Sequence, residues 1–111
     1  MTALSAIFAH DEDLVIFGIG PNERYTGWEA VKAMFQSQMD ATEGLQTLLA
    51  DQVIKVSKGG TGAWVSSLNR VSGLAGENRL EANYRNTIVL EKRGGKWLVV
   101  HIHMSRTEVP G

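Results

Sequence analysis

Residues 95–105 read Gly-Lys-Trp-Leu-Val-Val-His-Ile-His-Met-Ser, and this stretch decides how the fold is oriented. Alternate side chains of a β-strand point to opposite faces of its sheet. The odd face would carry the imidazoles of His101 and His103, which need hydrogen-bonding partners when they are buried. The even face is therefore predicted to face the core. Its residues are all apolar: Leu98, Val100, Ile102 and Met104.

The strand before this stretch must turn its own apolar side to the same core. Its core-facing residues are predicted to be Ile88 and Leu90. A two-residue loop between the strands would pair them with the odd face of the last strand. A three-residue, bulged loop would pair them with Ile102 and Val100 instead. The bulged loop is therefore predicted, because it keeps the two apolar sides together.

This register gathers polar and aromatic side chains on the sheet face that points away from the core. A face that mixes aromatic, arginine and hydrogen-bonding groups is typical of an interface. We therefore expect a homodimer that forms through this sheet face. The predicted interface residues are Arg85, Thr87, Trp97, His101, His103 and Ser105.

The remaining sequence predicts helices followed by antiparallel strands. Residues 3–9 suggest a short helix. The segment Thr26–Glu29 has the pattern of a capping box, which predicts a helix of about three to four turns that ends near Gly44. Glycine-rich turns separate the later strands, and this clustering favours an α+β domain with consecutive hairpins. The predicted strands are Leu14–Ile19, Leu45–Ser57, Ala63–Ser72, Arg79–Arg93 and Trp97–Arg106.

Composition narrows the class of protein. A chain of 111 residues is expected to form one domain, residues 1–111. Eleven Lys and Arg residues against twelve Asp and Glu give a net charge of −1, which does not favour nucleic acid or an anionic membrane as partner. The absence of cysteine excludes a disulfide, a thiolate nucleophile and a cysteine-ligated zinc. No apolar run approaches a membrane span and no signal peptide is recognisable, so we expect a cytoplasmic protein.

Several parts of the sequence together carry a resemblance that covers residues 7–106. They are Gly27, which opens the helix, and the segments Phe17–Glu23, Ala63–Val65, Arg85–Thr87 and Gly95–Ser105. Together they look like SnoaL-like proteins of the nuclear transport factor 2-like superfamily. The last strand also resembles the association (hub) domain of calcium/calmodulin-dependent protein kinase II.

The resemblance implies an α+β cone, in which a bent antiparallel sheet wraps around helices, leaves a pocket at its open end and commonly dimerises through the sheet. Family members usually begin with a long helix, which is expected to be short or missing here because only Met1–Ala9 precede the first strand. Hub domains line their pocket with arginines, but the matching positions hold Asn69, Ile88 and Met104. An anion pocket is therefore not expected. The resemblance also implies no steroid-isomerase chemistry, because the superfamily's steroid isomerases use a tyrosine of the first helix and that helix is expected to be missing here. The fold alone does not select among the superfamily's many activities.

Polar residues near the strand ends on the core side are the predicted lining of this pocket. They would form a small, mostly apolar cavity with a few amide and hydroxyl groups, suited to a neutral organic ligand. The alternative is that they hydrogen-bond to one another beneath the helix. The predicted ligand-binding residues are Ser67, Asn69, Tyr84, Asn86 and Met104.

Catalytic residues are less clearly indicated. Glu23 and His10 are candidate acid/base groups because they lie in loops at the ends of the first strand. His101 and His103 have a metal-ligand spacing but no third ligand nearby, so neither a metal nor a cofactor is predicted. Three functions stay open: a homodimeric small-molecule-binding protein, a cofactor-independent isomerase, cyclase or hydrolase that uses acid/base catalysis, and an oligomerisation module.

Overall fold

The computed structural model describes residues 2–107, which form two helices and six strands. No helix in this part of the chain is long and apolar enough to cross a membrane. The helices are α1 (Thr2–Ile7) and α2 (Trp28–Ala41). The strands are β1 (Val15–Phe17), β2 (Arg24–Thr26), β3 (Glu43–Val56), β4 (Gly62–Ala75), β5 (Asn78–Arg93) and β6 (Lys96–Arg106).

All six strands form one sheet in the order β2-β1-β6-β5-β4-β3. The four long strands are consecutive antiparallel hairpins, as the glycine-rich turns predicted. β1 joins the sheet beside β6 in parallel, and β2 pairs with β1. The sheet is thus mixed and open, and the α+β class expected from the sequence is confirmed.

The start of α2 differs from the predicted capping box. Gly27 is the N-cap residue, with φ of 87°, and no side chain caps the helix. The loop before β1 supplies the acceptors instead, because the amides of Gly27 and Trp28 donate to the carbonyls of Leu14 and Asp11 at 2.6 and 3.1 Å. A Cβ at position 27 would lie 3.2 Å from the Glu12 carbonyl oxygen, so a glycine suits this close approach.

The connection between β5 and β6 also differs from the prediction. The loop has two residues, Gly94 and Gly95, both with positive φ, and the extra residue lies within β6 at Val100. Leu90 therefore pairs with Val99, whereas Ile88 pairs with Ile102. The predicted pairing of Ile88 is confirmed and that of Leu90 is wrong.

This bulge reverses the faces of residues 97–99. Trp97 and Val99 lie on the same side as the core, opposite Lys92 and Leu90, and Leu98 lies on the other side. From His101 onward the alternation is the predicted one. We call the side of the sheet that contacts α2 the inner face and the opposite side the outer face.

The core lies between α2 and the inner face of β1, β6 and β5. Leu14, Ile16 and Val31 have almost no exposed surface. Phe8 packs against Trp28 with ring centroids 5.8 Å apart, which closes the core from the N-terminal side. The buried core residues are Phe8, Leu14, Ile16, Trp28, Val31, Met34, Val99 and Ile102.

Strand β3 lies outside this core. It forms one edge of the sheet, and all of its 14 residues are exposed. Its apolar residues point to both faces, since Leu48 pairs with Arg70 on the outer face and Leu49 with Asn69 on the inner face. No helix or strand among residues 2–107 pairs with its free edge.

Candidate functional site

The five predicted ligand-binding residues lie together on the inner face. Adjacent strands place Ser67 opposite Asn86, Asn86 opposite Met104, and Asn69 opposite Tyr84. Met104 also packs against the core. We call these five residues, which lie beside one another on the inner face next to the core, the inner polar patch.

Hydrogen bonding within the inner polar patch is incomplete. Ser67 is buried, with 7% of its surface exposed, and its Oγ donates to Asn69 Oδ1 at 2.8 Å. Two residues of the patch therefore bond to each other, which was the alternative left open by the sequence. Asn86 Oδ1 is also buried, but no donor reaches it from the described residues. A buried acceptor without a partner costs about 1–3 kcal/mol, so this site favours an incoming donor.

Two surface depressions lie away from the centre of the patch. One of about 510 Å³ follows α2, along residues 33–41. The other, of about 420 Å³, involves Asn69 and Tyr84 but is lined largely by outer-face residues. Neither depression includes Ser67, Asn86 or Met104. The lining of the second is Leu48, Ala50, Leu68, Asn69, Arg70, Asn83, Tyr84 and Thr107.

Five of the six predicted interface residues share the outer face. The register sets Thr87 opposite His103 and Arg85 opposite Ser105, and His101 lies on the same side. Trp97 does not belong to this set, because the bulge at Val100 turns it to the other face.

The outer face also contains residues that the sequence reasoning missed. The Phe17 ring contacts those of His101 and His103, with centroids 5.9 and 5.6 Å apart, and the Arg24 guanidinium lies 5.8 Å from the Phe17 centroid. His101 Nδ1–H donates to the Val15 carbonyl at 2.8 Å, which fixes the imidazole orientation. Only the parallel pairing of β1 with β6 brings these residues together, and the sequence alone gives no clear signal for it.

Among residues 2–107, the two histidines of β6 do not form part of a larger metal-ligand group. Within the described ranges, no three His, Cys, Asp or Glu side chains are placed to hold a metal ion. Because His101 Nδ1 donates to the Val15 carbonyl, only Nε2 of this ring is free to contact a metal ion. The described residues therefore provide no complete set of ligands for a metal ion.

The candidate acid/base residues have local partners. His10 Nε2 donates to the Ser5 carbonyl at 2.8 Å, and its ring stacks on Trp28 with centroids 4.4 Å apart. The Glu23 carboxylate accepts a hydrogen bond from the Gly20 amide and so closes its own loop. These contacts explain both side chains as parts of local structure, and the proposed catalytic roles stay predictions.

The clearest electrostatic interaction is one the sequence did not indicate. Arg93 Nη1 and Nη2 donate to the two carboxylate oxygens of Asp11 at 2.8 and 2.7 Å. The hydrogen bond from Arg93 lowers the pKa of Asp11, and the bonds to Asp11 and Glu91 raise the pKa of Arg93. Because Asp11 also anchors the start of α2, the pair links this loop to the β5–β6 hairpin.

Comparison with known proteins identifies the class of this chain. The profile of the SnoaL-like domain matches residues 1–109, so the chain belongs to the SnoaL-like domain family. The resemblance stated from the sequence is thereby confirmed. No curated protein matches the chain.

Solved structures with similar folds include proteins described as nuclear transport factor 2-like. A protein of unknown function from Pseudomonas putida is 25% identical, with a TM-score of 0.76 over 95% of this chain and 71% of its own. A protein of the nuclear transport factor 2-like superfamily from Salmonella enterica is 21% identical, with a TM-score of 0.83, over 99% of this chain and 79% of its own. A calcium/calmodulin-dependent protein kinase II hub from S. rosetta is 22% identical, with a TM-score of 0.75, over 96% of this chain and 81% of its own. These structures support the nuclear transport factor 2-like fold.

Proposed function

We propose that this protein binds a small neutral organic molecule at the inner polar patch. The observation that carries the proposal is the buried Asn86 Oδ1, which lacks a donor beside the satisfied Ser67 and Asn69 pair. A ligand hydroxyl or amide N–H would supply that donor. The adjacent Met104 and Tyr84 would contact the apolar part of the ligand.

The patch contains no charged side chain, which supports a neutral ligand. Its members are one hydroxyl, two amides, one phenol and one thioether. An ionic ligand would need an opposite charge here to offset the loss of hydration. The basic residues adjacent to the patch in sequence, Arg70 and Arg85, both lie on the outer face.

A matched pair of probes tests the proposal. 2-Naphthol offers one hydroxyl donor, whereas 2-methoxynaphthalene has the same ring system and only an acceptor. We expect 2-naphthol to bind roughly fivefold more tightly in calorimetric or NMR titrations, the effect of one net hydrogen bond of about 1 kcal/mol. The variant Asn86→Leu should remove this preference.

Asn83→Leu is the matched control, because Asn83 lies on the same strand but pairs with Arg70 on the outer face. It should keep the preference for 2-naphthol. If Asn86→Leu keeps the preference, or if Asn83→Leu alone loses it, the inner polar patch is not the binding site.

We further propose that the chain forms a homodimer through its outer face. This face exposes Trp64 and Leu68 by 45% and 41% of their surfaces, next to the polar residues described above. The variant Leu68→Glu should place an unpaired carboxylate in the contact and shift sedimentation equilibrium toward a smaller species. A wild-type protein that stays monomeric at about 100 μM would contradict this proposal, since stable interfaces have smaller dissociation constants.

A further inference from the structure

Strand β3 offers a second place for self-association, separate from the outer-face contact. Its free edge is long, exposed and apolar, and Leu48, Leu49 and Ile54 expose 56–68% of their surfaces. A long apolar edge strand is a template for pairing with another strand. A contact through the outer face alone would leave Leu49 and Ile54 uncovered, because they point inward.

The sequence of β3 is complementary to itself when it is read in opposite directions from Leu49. Antiparallel pairing centred on this residue sets Glu43 opposite Lys55 of the second copy, at both ends of the ladder. It also sets Leu48 opposite Ala50 and Leu49 opposite its own counterpart. Opposite charges and apolar side chains are the pairs that stabilise neighbouring strands.

The faces of the paired residues agree as well, although β3 contains two register shifts. These shifts lie between Glu43 and Gln46 and between Ala50 and Val53. In the symmetric pair, residues 43–46 of one copy lie opposite residues 52–55 of the other, next to its second shift at residues 50–53. Each half of the ladder therefore contains one extra residue on both strands. Glu43 and Lys55 then share the outer face, because their partners on β4 are Leu74 and Trp64.

We propose that β3 pairs antiparallel with β3 of a second copy about a two-fold axis at Leu49. The contact joins two six-stranded sheets into one continuous sheet. It is isologous, since the same residues serve both copies, and it uses the main-chain groups that β3 leaves unpaired. Self-pairing is favoured over an unrelated peptide because the chain itself supplies the matching charges.

A single introduced cysteine tests the position of the axis. The chain has no cysteine, so Leu49→Cys provides one thiol per copy. Residues directly opposite each other in an antiparallel pair have Cβ atoms about 4.5–5.5 Å apart, close to what a disulfide needs. We expect this variant to form a disulfide-linked dimer in glutathione redox buffer.

Ile54→Cys is the matched control, since residue 54 lies on the same strand and face with similar exposure. In the proposed pair it is about 33 Å from its own counterpart. Leu49→Cys should therefore cross-link at least about tenfold faster than Ile54→Cys. Equal rates would overturn the proposal. Adding Leu68→Glu should leave the cross-link intact, which separates this contact from the outer-face dimer.

Charge exchange tests the register independently and also serves if the cysteine variants fold poorly. Association is measured by sedimentation equilibrium in the Leu68→Glu background. Glu43→Lys and Lys55→Glu should each weaken it roughly fivefold, because each places two like-charge pairs across the contact. The double variant, and an equimolar mixture of the two single variants, should restore association. If neither restores it, or if the Leu68→Glu protein is wholly monomeric, the proposed pairing is wrong.

Discussion

Val99 and Val100 are adjacent residues of one type, and the bulge in β6 gives them unequal roles in stability. Val99 is buried in the core, with 6% of its surface exposed, opposite Leu90 and beside Phe8. Val100 is the extra, half-buried residue that has no directly paired partner on β5. Replacing each by alanine removes the same two carbon atoms, so the difference between the variants measures position alone.

The expected cost at Val99 follows from the groups removed. Two buried carbons account for about 1.6 kcal/mol of transfer free energy. The cavity that they leave raises the cost of Val99→Ala to about 2–2.5 kcal/mol. Val100→Ala should cost less than about 1 kcal/mol. The cost of Val99→Ala is a substantial fraction of the free energy of unfolding of a domain of this size, which is roughly 5–15 kcal/mol.

The assay is equilibrium unfolding in urea, followed by tryptophan fluorescence, with Trp28 in the core as a reporter. Both variants should keep the wild-type m-value, which shows that the same surface is exposed on unfolding. The register derived from the sequence predicts the reverse order, because it places Val100 in the core. If Val100→Ala lowers the free energy of unfolding as much as Val99→Ala, or more, the bulge at Val100 is wrong.

Two further predictions concern the β5–β6 hairpin. The pKa of Asp11 is lowered in the folded protein, so the bond with Arg93 contributes stability above the ordinary pKa of 3.8, and this contribution is lost as pH falls through the folded pKa. Arg93→Gln should therefore make the melting temperature depend less on pH in the acid range. A melting temperature whose acid dependence is the same in the variant would contradict the assignment. Gly95→Ala should cost about 1 kcal/mol in urea unfolding, because φ is 79° at this position, even though no atom beyond the two chain neighbours lies within 4 Å of the added Cβ. An unchanged free energy of unfolding would exclude backbone strain.

Much of the fold could be predicted because apolar residues recur along its long helix and strands at the spacing typical of each. The amphipathic spacing from Trp28 gave α2, and the glycine turns gave the four long hairpin strands. β2 was missed because Arg24–Thr26 is too short to show alternation. The parallel pairing of β1 with β6 depends on how distant segments meet, which no local pattern reports.

The sequence and the structure place the five residues of the inner polar patch on the same face of the sheet, for a specific reason. The bulge at Val100 lies before His101, so it leaves the alternation of Ile102 and Met104 unchanged. Trp97 and Leu98 lie before the bulge and were assigned to the wrong faces. Two consecutive valines suit either face, so the sequence could not reveal which one is the extra residue.

The separation of β3 from the core has a consequence for how the molecule opens. Since no side chain of this strand is buried, detaching it exposes little apolar surface and leaves the packing of α2 on β1, β6 and β5 intact. Its amide hydrogens should therefore exchange with solvent through local fraying, well before those of β6 exchange through global unfolding. Pairing of a second strand with the same edge would slow that exchange. Slower amide exchange in β3 would therefore indicate that two copies have associated through this strand.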